Sequence, residues 1–260
     1  MGHERIGFLP KTKQWQRIME QLTLFDGDYD LIKSISNDTL KAVQSSYSRL
    51  QYDESLIRSI QFLAALSVSA KKDDQEEYLR SLGFDIPQDL STFIILSNAN
   101  RLLSTDKGSL ETNKIAKDAL IQAIVEYGKK KTASDQMSLF GSLESNVWSE
   151  VGDGAAFCEI ARRFVAAFTE RQLKYYLERT AADSINDYSR LKSFLDGLET
   201  HTNEISDHAF ETSKLVQSFS AGWFNAHAKD DLPSETAVQE YLRISLNKMR
   251  EEFRREAEET

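Results

Sequence analysis

A chain of 260 residues with 40% hydrophobic and 28% charged side chains has the composition of a folded protein with a substantial core, which excludes disorder as its general state. A formal net charge of −9 opposes a phosphate backbone on average, so nucleic-acid contact would need a local basic face. The single cysteine, Cys158, excludes an intrachain disulfide and a thiolate metal cluster, and it fits a reducing compartment.

Three prolines and eleven glycines are too few for the tight turns of an all-β or α/β chain, whereas long helices tolerate that scarcity. The expectation is an all-α, irregular multihelical bundle, divisible into two helical halves. The opening MGHERIGFLPKTK lacks the apolar stretch of a signal peptide, and Ile6 stands where N-myristoylation would require Ser or Thr. No run of about 18 apolar residues occurs, so the expectation is a cytoplasmic protein without a membrane span.

Residues 1–12 read as an N-terminal arm, because Gly7 and Pro10 interrupt a helix. An N-terminal helical region over 13–128 begins with Trp15, Ile18, Met19, Leu22 and Phe25 at three- and four-residue steps. The rhythm continues from Tyr29 to Tyr47 with a break expected near Asn37 and Asp38. Asp53 is placed to cap the strongly apolar segment Leu56–Val68, and Gly83 to end a short helix in the left-handed conformation. Thr92–Leu96 alone would suit a strand, but the residues to Leu103 extend it at helical spacing. Another amphipathic helix runs to Tyr127, with Gly128 as its expected cap.

Residues 129–154 change to Lys, Ser, Asp and Gly and read as a linker or surface loop. The C-terminal helical region, 155–260, is expected to hold helices over 157–177, 185–198, 205–224 and 234–258. Thr236 and Gln239 have capping-box spacing at the start of the last one.

No catalytic signature emerges from the residues. His201, Glu204, His208 and Glu211 step along one helix face in ligand-compatible spacing. A carboxylate-bridged dimetal site would need Glu-x-x-His on two helices, so we read this as a solvated face and expect no metal and no cofactor. Asp73, Asp74, Glu76 and Glu77 resemble one metal-diphosphate motif of helical prenyl-transferring enzymes but lack its last position and its second copy. A charged interhelical corner explains them. There is no Gly-x-Ser-x-Gly elbow or Gly-rich phosphate loop, and Cys158 sits in an apolar pattern. The chain is therefore expected not to be an enzyme; an unrecognised helical active site, starting from the histidine face, is the alternative.

Gln136-Met137-Ser138-Leu139-Phe140 resembles the short peptide by which bacterial proteins dock on the DNA polymerase sliding clamp. There the Gln amide would orient the peptide while Met137, Leu139 and Phe140 fill apolar pockets. A second copy, Gln21-Leu22-Thr23-Leu24-Phe25, ends an amphipathic helix and reads as core. Lys129, Lys130 and Lys131, with Arg162, Arg163, Arg171 and Lys174, are the candidate phosphate-contacting residues. The opening residues and the helical build resemble small accessory proteins of multigene bacterial antiphage systems. That resemblance implies a noncatalytic subunit or adaptor beside an ATPase or nuclease partner, with any nucleic-acid contact direct or through that partner. A DNA-associated factor recruited by the clamp-like segment is the competing reading.

Overall fold

The computed structural model describes residues 12–87, 89–104, 109–135, 144–212 and 214–259. Twelve helices and no strand occur among them, as an all-α multihelical bundle requires. Apart from Thr12, the expected arm lies outside the described residues.

α1 (Lys13–Leu24) starts where the Thr12 hydroxyl accepts the Trp15 N–H, and it buries Trp15, Ile18 and Leu22. Gly27 turns the chain at φ +110°, and the Asp28 carboxylate caps α2 (Tyr29–Ala42) by accepting the Asp30 N–H. α2 continues through Asn37 and Asp38, where a break was expected. Ser36 and Thr39 face the core, and the Thr39 hydroxyl donates to the Ile35 carbonyl, so burial of Ile35 and Leu40 overrides the weak local propensity. The break falls at Val43, before α3 (Gln44–Leu50).

Asp53 caps α4 (Glu54–Ser69) as its position predicts, accepting the Ser55 N–H. Nearly every α4 residue is buried, and the helix packs against several later ones. α5 (Gln75–Ser81) takes its cap from Asp74 and ends at Gly83, which adopts φ +86°. The acidic run is thus a structural corner: Asp74 accepts the Glu77 N–H, while Glu76 pairs with Arg80 and accepts the Leu90 N–H. Thr92–Leu102 is helix, α6, capped by Ser91.

α7 (Leu110–Asp135) runs past Gly128 instead of stopping there. Gly128 is packed against Trp148 and Thr92, where an added Cβ would lie 3.7–3.8 Å from their side chains. Trp148 belongs to α8 (Glu144–Ser149); its indole N–H donates to Thr92 Oγ1 at 2.9 Å and its ring packs on Tyr127. The segment 129–154, expected to be linker or loop, therefore contains the last turns of α7 and all of α8.

α9 (Gly154–Ser184) has 31 residues, about 46 Å at 1.5 Å each, and touches α1, α2, α4 and α7 as well as the helices that follow it. Those are α10 (Tyr188–Thr212), α11 (Lys214–His227) and α12 (Glu235–Glu259). One contiguous core contains buried side chains from both sides of residues 129–154. The expected interruption near residues 199–204 is absent because His201 and Thr202 are fully buried. Ser234, not Thr236, caps α12 by accepting the Ala237 N–H, while Gln239 bonds Glu235. No described helix is long and apolar enough to cross a membrane.

The two glycines in unlike environments give opposite expectations. Gly83→Ala places a Cβ at positive φ and should lower unfolding stability by about 1–2 kcal/mol. Gly222→Ala, inside α11 with nothing near its added Cβ, should raise it by about 0.5–1 kcal/mol. Urea denaturation of both variants checks the signs.

Candidate functional site

The histidine face divides: His201 is taken into the packing, whereas Glu204 and His208 remain exposed. His201 is fully buried, with its ring edge-on to Tyr29 at 6.0 Å. Glu204 accepts the Tyr29 hydroxyl, and His208 Nδ1 lies 3.0 Å from a Glu256 carboxylate oxygen on α12. The Glu211 side chain lies outside the described residues. Among the described residues no group of three or more His, Cys, Asp or Glu side chains is placed to hold a metal.

Cys158 is buried, and its thiol donates to the Gln217 carbonyl of α11 at 3.2 Å. Burial pushes the thiol pKa up against the opposing effect of Arg162.

Gln136, Met137, Leu139 and Phe140 lie outside the described residues. The related run Gln21–Phe25 is only partly core: Leu22 and Phe25 are fully buried, with Phe25 edge-on against Phe194, while Thr23 and Leu24 are exposed. Arg190 of α10 donates to the carbonyls of Thr23 and Phe25, fixing the end of α1.

The candidate basic residues lie on α7 and α9, and several are met there by acids and amides. Lys130 and Arg163 both pair with Glu159, at 2.7 and 3.2 Å, and Arg163 also pairs with Glu126 at 3.0 Å. Burial raises the pKa of Glu159, but these two cations more than offset it and hold the carboxylate below its ordinary value. Lys131 lies over the Tyr127 ring, Lys129 is exposed, and Arg162 is buried beside Cys158 and Glu159. Arg171 donates to Gln122 at 2.7 Å, while Lys174 pairs with Glu170 and donates to Asn203 of α10, both at 3.0 Å.

Three of these side chains, Arg163, Arg171 and Lys174, line a trough that sequence reasoning missed; the other four do not. Its first part, about 410 Å³, has Lys114, Ile115 and Asp118 of α7 on one wall and Arg171, Lys174, Tyr175 and Glu178 of α9 on the other. The Arg171–Gln122 bond separates it from a second part of about 310 Å³, which is bounded by Glu126, Arg163 and Glu170 and by Asn203 and Asp207 of α10. Lys114 and Asp118 make no ion pair or hydrogen bond among the described residues, so their charges face the trough unspent. Burial raises the Glu178 pKa, opposed by Lys174. The residues come from three helices far apart in sequence; only the basic residues of α9 were singled out beforehand.

Comparison with protein-family models, curated proteins and solved structures returns no match to this chain.

The environment of Cys158 generates a direct expectation. Its thiol should react with an aromatic disulfide reagent at least tenfold more slowly in the folded protein than in urea, as burial and a raised pKa require. Absorbance of the released thiolate measures both rates.

Proposed function

We propose that this protein is a noncatalytic helical subunit whose partner docks an amphipathic helix into the trough between α7 and α9. The observation that carries the reading is the trough's chemistry. Half-buried Ile115 and Tyr175 supply an apolar floor, flanked by the uncommitted charges of Lys114 and Asp118. From Arg171 to Glu178 the α9 wall of the first part spans about 10 Å, enough for about two turns of a partner helix. Charges of both signs suit the i, i+4 pairs on a helix flank.

The lining favours a polypeptide over a nucleic acid. In the first part Lys114, Arg171 and Lys174 are balanced by Glu111, Asp118 and Glu178, and in the second Arg163 stands among Glu126, Glu170 and Asp207. A phosphate backbone would meet as many carboxylates as cations there. We assign catalysis to the partner and take an ATPase or nuclease as its class, the expectation that accompanies an antiphage accessory subunit.

Native affinity purification at low salt tests the reading through charge reversals that disturb no internal pair. A stoichiometric partner should co-purify with the unmodified chain and with Lys192→Glu, an exposed change on α10 away from the trough lining. Lys114→Glu and Asp118→Lys should each weaken retention tenfold or more. Equal retention by both trough variants, or a chain that purifies alone, contradicts the proposal.

A further inference from the structure

His201 occupies a position that suits a neutral ring and no other state. The imidazole is fully buried, and neither ring nitrogen has a hydrogen-bond partner. It sits where α10 meets α2, a seam kept close by Gly197 one turn earlier. A Cβ added at Gly197 would come within 2.5 Å of Ile32 Cδ1 and 3.7 Å of the Tyr29 ring. Ile32, Leu198 and Phe194, all buried, make the surrounding seam apolar.

The charges around the ring do not welcome a proton. From α2, Lys33 lies 5.3 Å from the centre of the same Tyr29 ring that abuts His201, and it acts against a second cation. Glu204, the one carboxylate that acts in favour of it, lies a turn further along α10 and already accepts the Tyr29 hydroxyl. Of the other charges packed against α10, Lys174 of α9 meets Glu170 and Asn203, Glu256 of α12 meets His208 and Arg255, and Glu178 of α9 faces Glu199 of α10.

We propose that the α2–α10 seam is an acid-labile latch with His201 as its proton-sensitive group: the closed packing holds a neutral imidazole, and protonation releases the two helices from each other. This stands independently of what the trough binds. Burial first, then Lys33, lowers the His201 pKa from 6.5 to about 4 against the opposing effect of Glu204. Because the closed-state value lies below that of a solvated histidine, the open seam takes up a proton more readily. The latch is at full strength above pH 6.5, weakens as pH falls from there toward about 4, and weakens no further below that value. Over the whole window the closed state loses on the order of 300-fold in its equilibrium with the open one, and about 30-fold by pH 5.

Hydrogen exchange at pH 7.5 and pH 5, corrected for intrinsic rates, reads the latch directly. In the unmodified protein, protection of residues 29–42 and 188–212 should fall by about 30-fold on acidification, while α4 and α9 keep theirs. In His201→Leu, which fills the site with an apolar group, the pH-dependent part of that loss should vanish. The same loss in the variant, or an equal loss in every helix, overturns the proposal. Should the variant fail to fold, nuclear magnetic resonance titration of the unmodified protein decides. A His201 ring midpoint below 5 supports the latch, and one near 6.5 refutes it.

Discussion

Burial of α9 on nearly every side is the constraint on which the other helices depend. Phe157 stacks on Phe224 at 4.8 Å and packs near Trp223 and Tyr241, joining α11 and α12 to its first turns. Trp15 meets Tyr176 edge-on at the other end and brings α1 to it. A helix so enclosed has little solvated surface, so its charged residues must be paired or screened: Glu170 holds Lys174, Glu159 holds Arg163, and Arg171 finds an amide on α7. Arg163, Glu170, Arg171 and Lys174 of these pairs line the trough, whose walls come from α7, α9 and α10.

A similar economy shapes the outer helices. Arg250, buried on α12, donates to the Leu40 carbonyl at the end of α2 and so satisfies a helix terminus that has no internal partner. Arg190 does the same for the end of α1, and Lys71 and Lys72 donate to the carbonyls of Lys229 and Asp230 in the turn before α12. Long cationic side chains thus tie distant segments together.

Local chemistry made part of this legible in the sequence. Asp53 and Gly83 mark a helix start and a helix end because a cap and a positive φ are properties of one or two residues. The helical character of Thr92–Leu102 followed from spacing alone. Where the reading departed from the structure, tertiary burial decided. Asn37–Asp38, Gly128 and the polar run around His201 look like interruptions, yet each lies within a helix whose neighbours are buried. The spacing of His201, Glu204 and His208 announced a common face but not that Tyr29 would cover His201 or that Glu256 would meet His208. The basic residues were visible, and Glu159 and Glu170 stand one turn from Arg163 and Lys174, but the pairing across helices was not identifiable, since Glu126 and Arg163 are 37 positions apart.

The central claim is that a partner chain seats in the trough, and site-directed photo-cross-linking in the native assembly tests it most directly. A photoreactive residue at position 118, on the α7 wall, should form a covalent adduct with one partner protein, and the same group at position 192 should form none. Adducts from position 192 but not from position 118 would contradict the account, as would the absence of any adduct from position 118 while the partner remains bound.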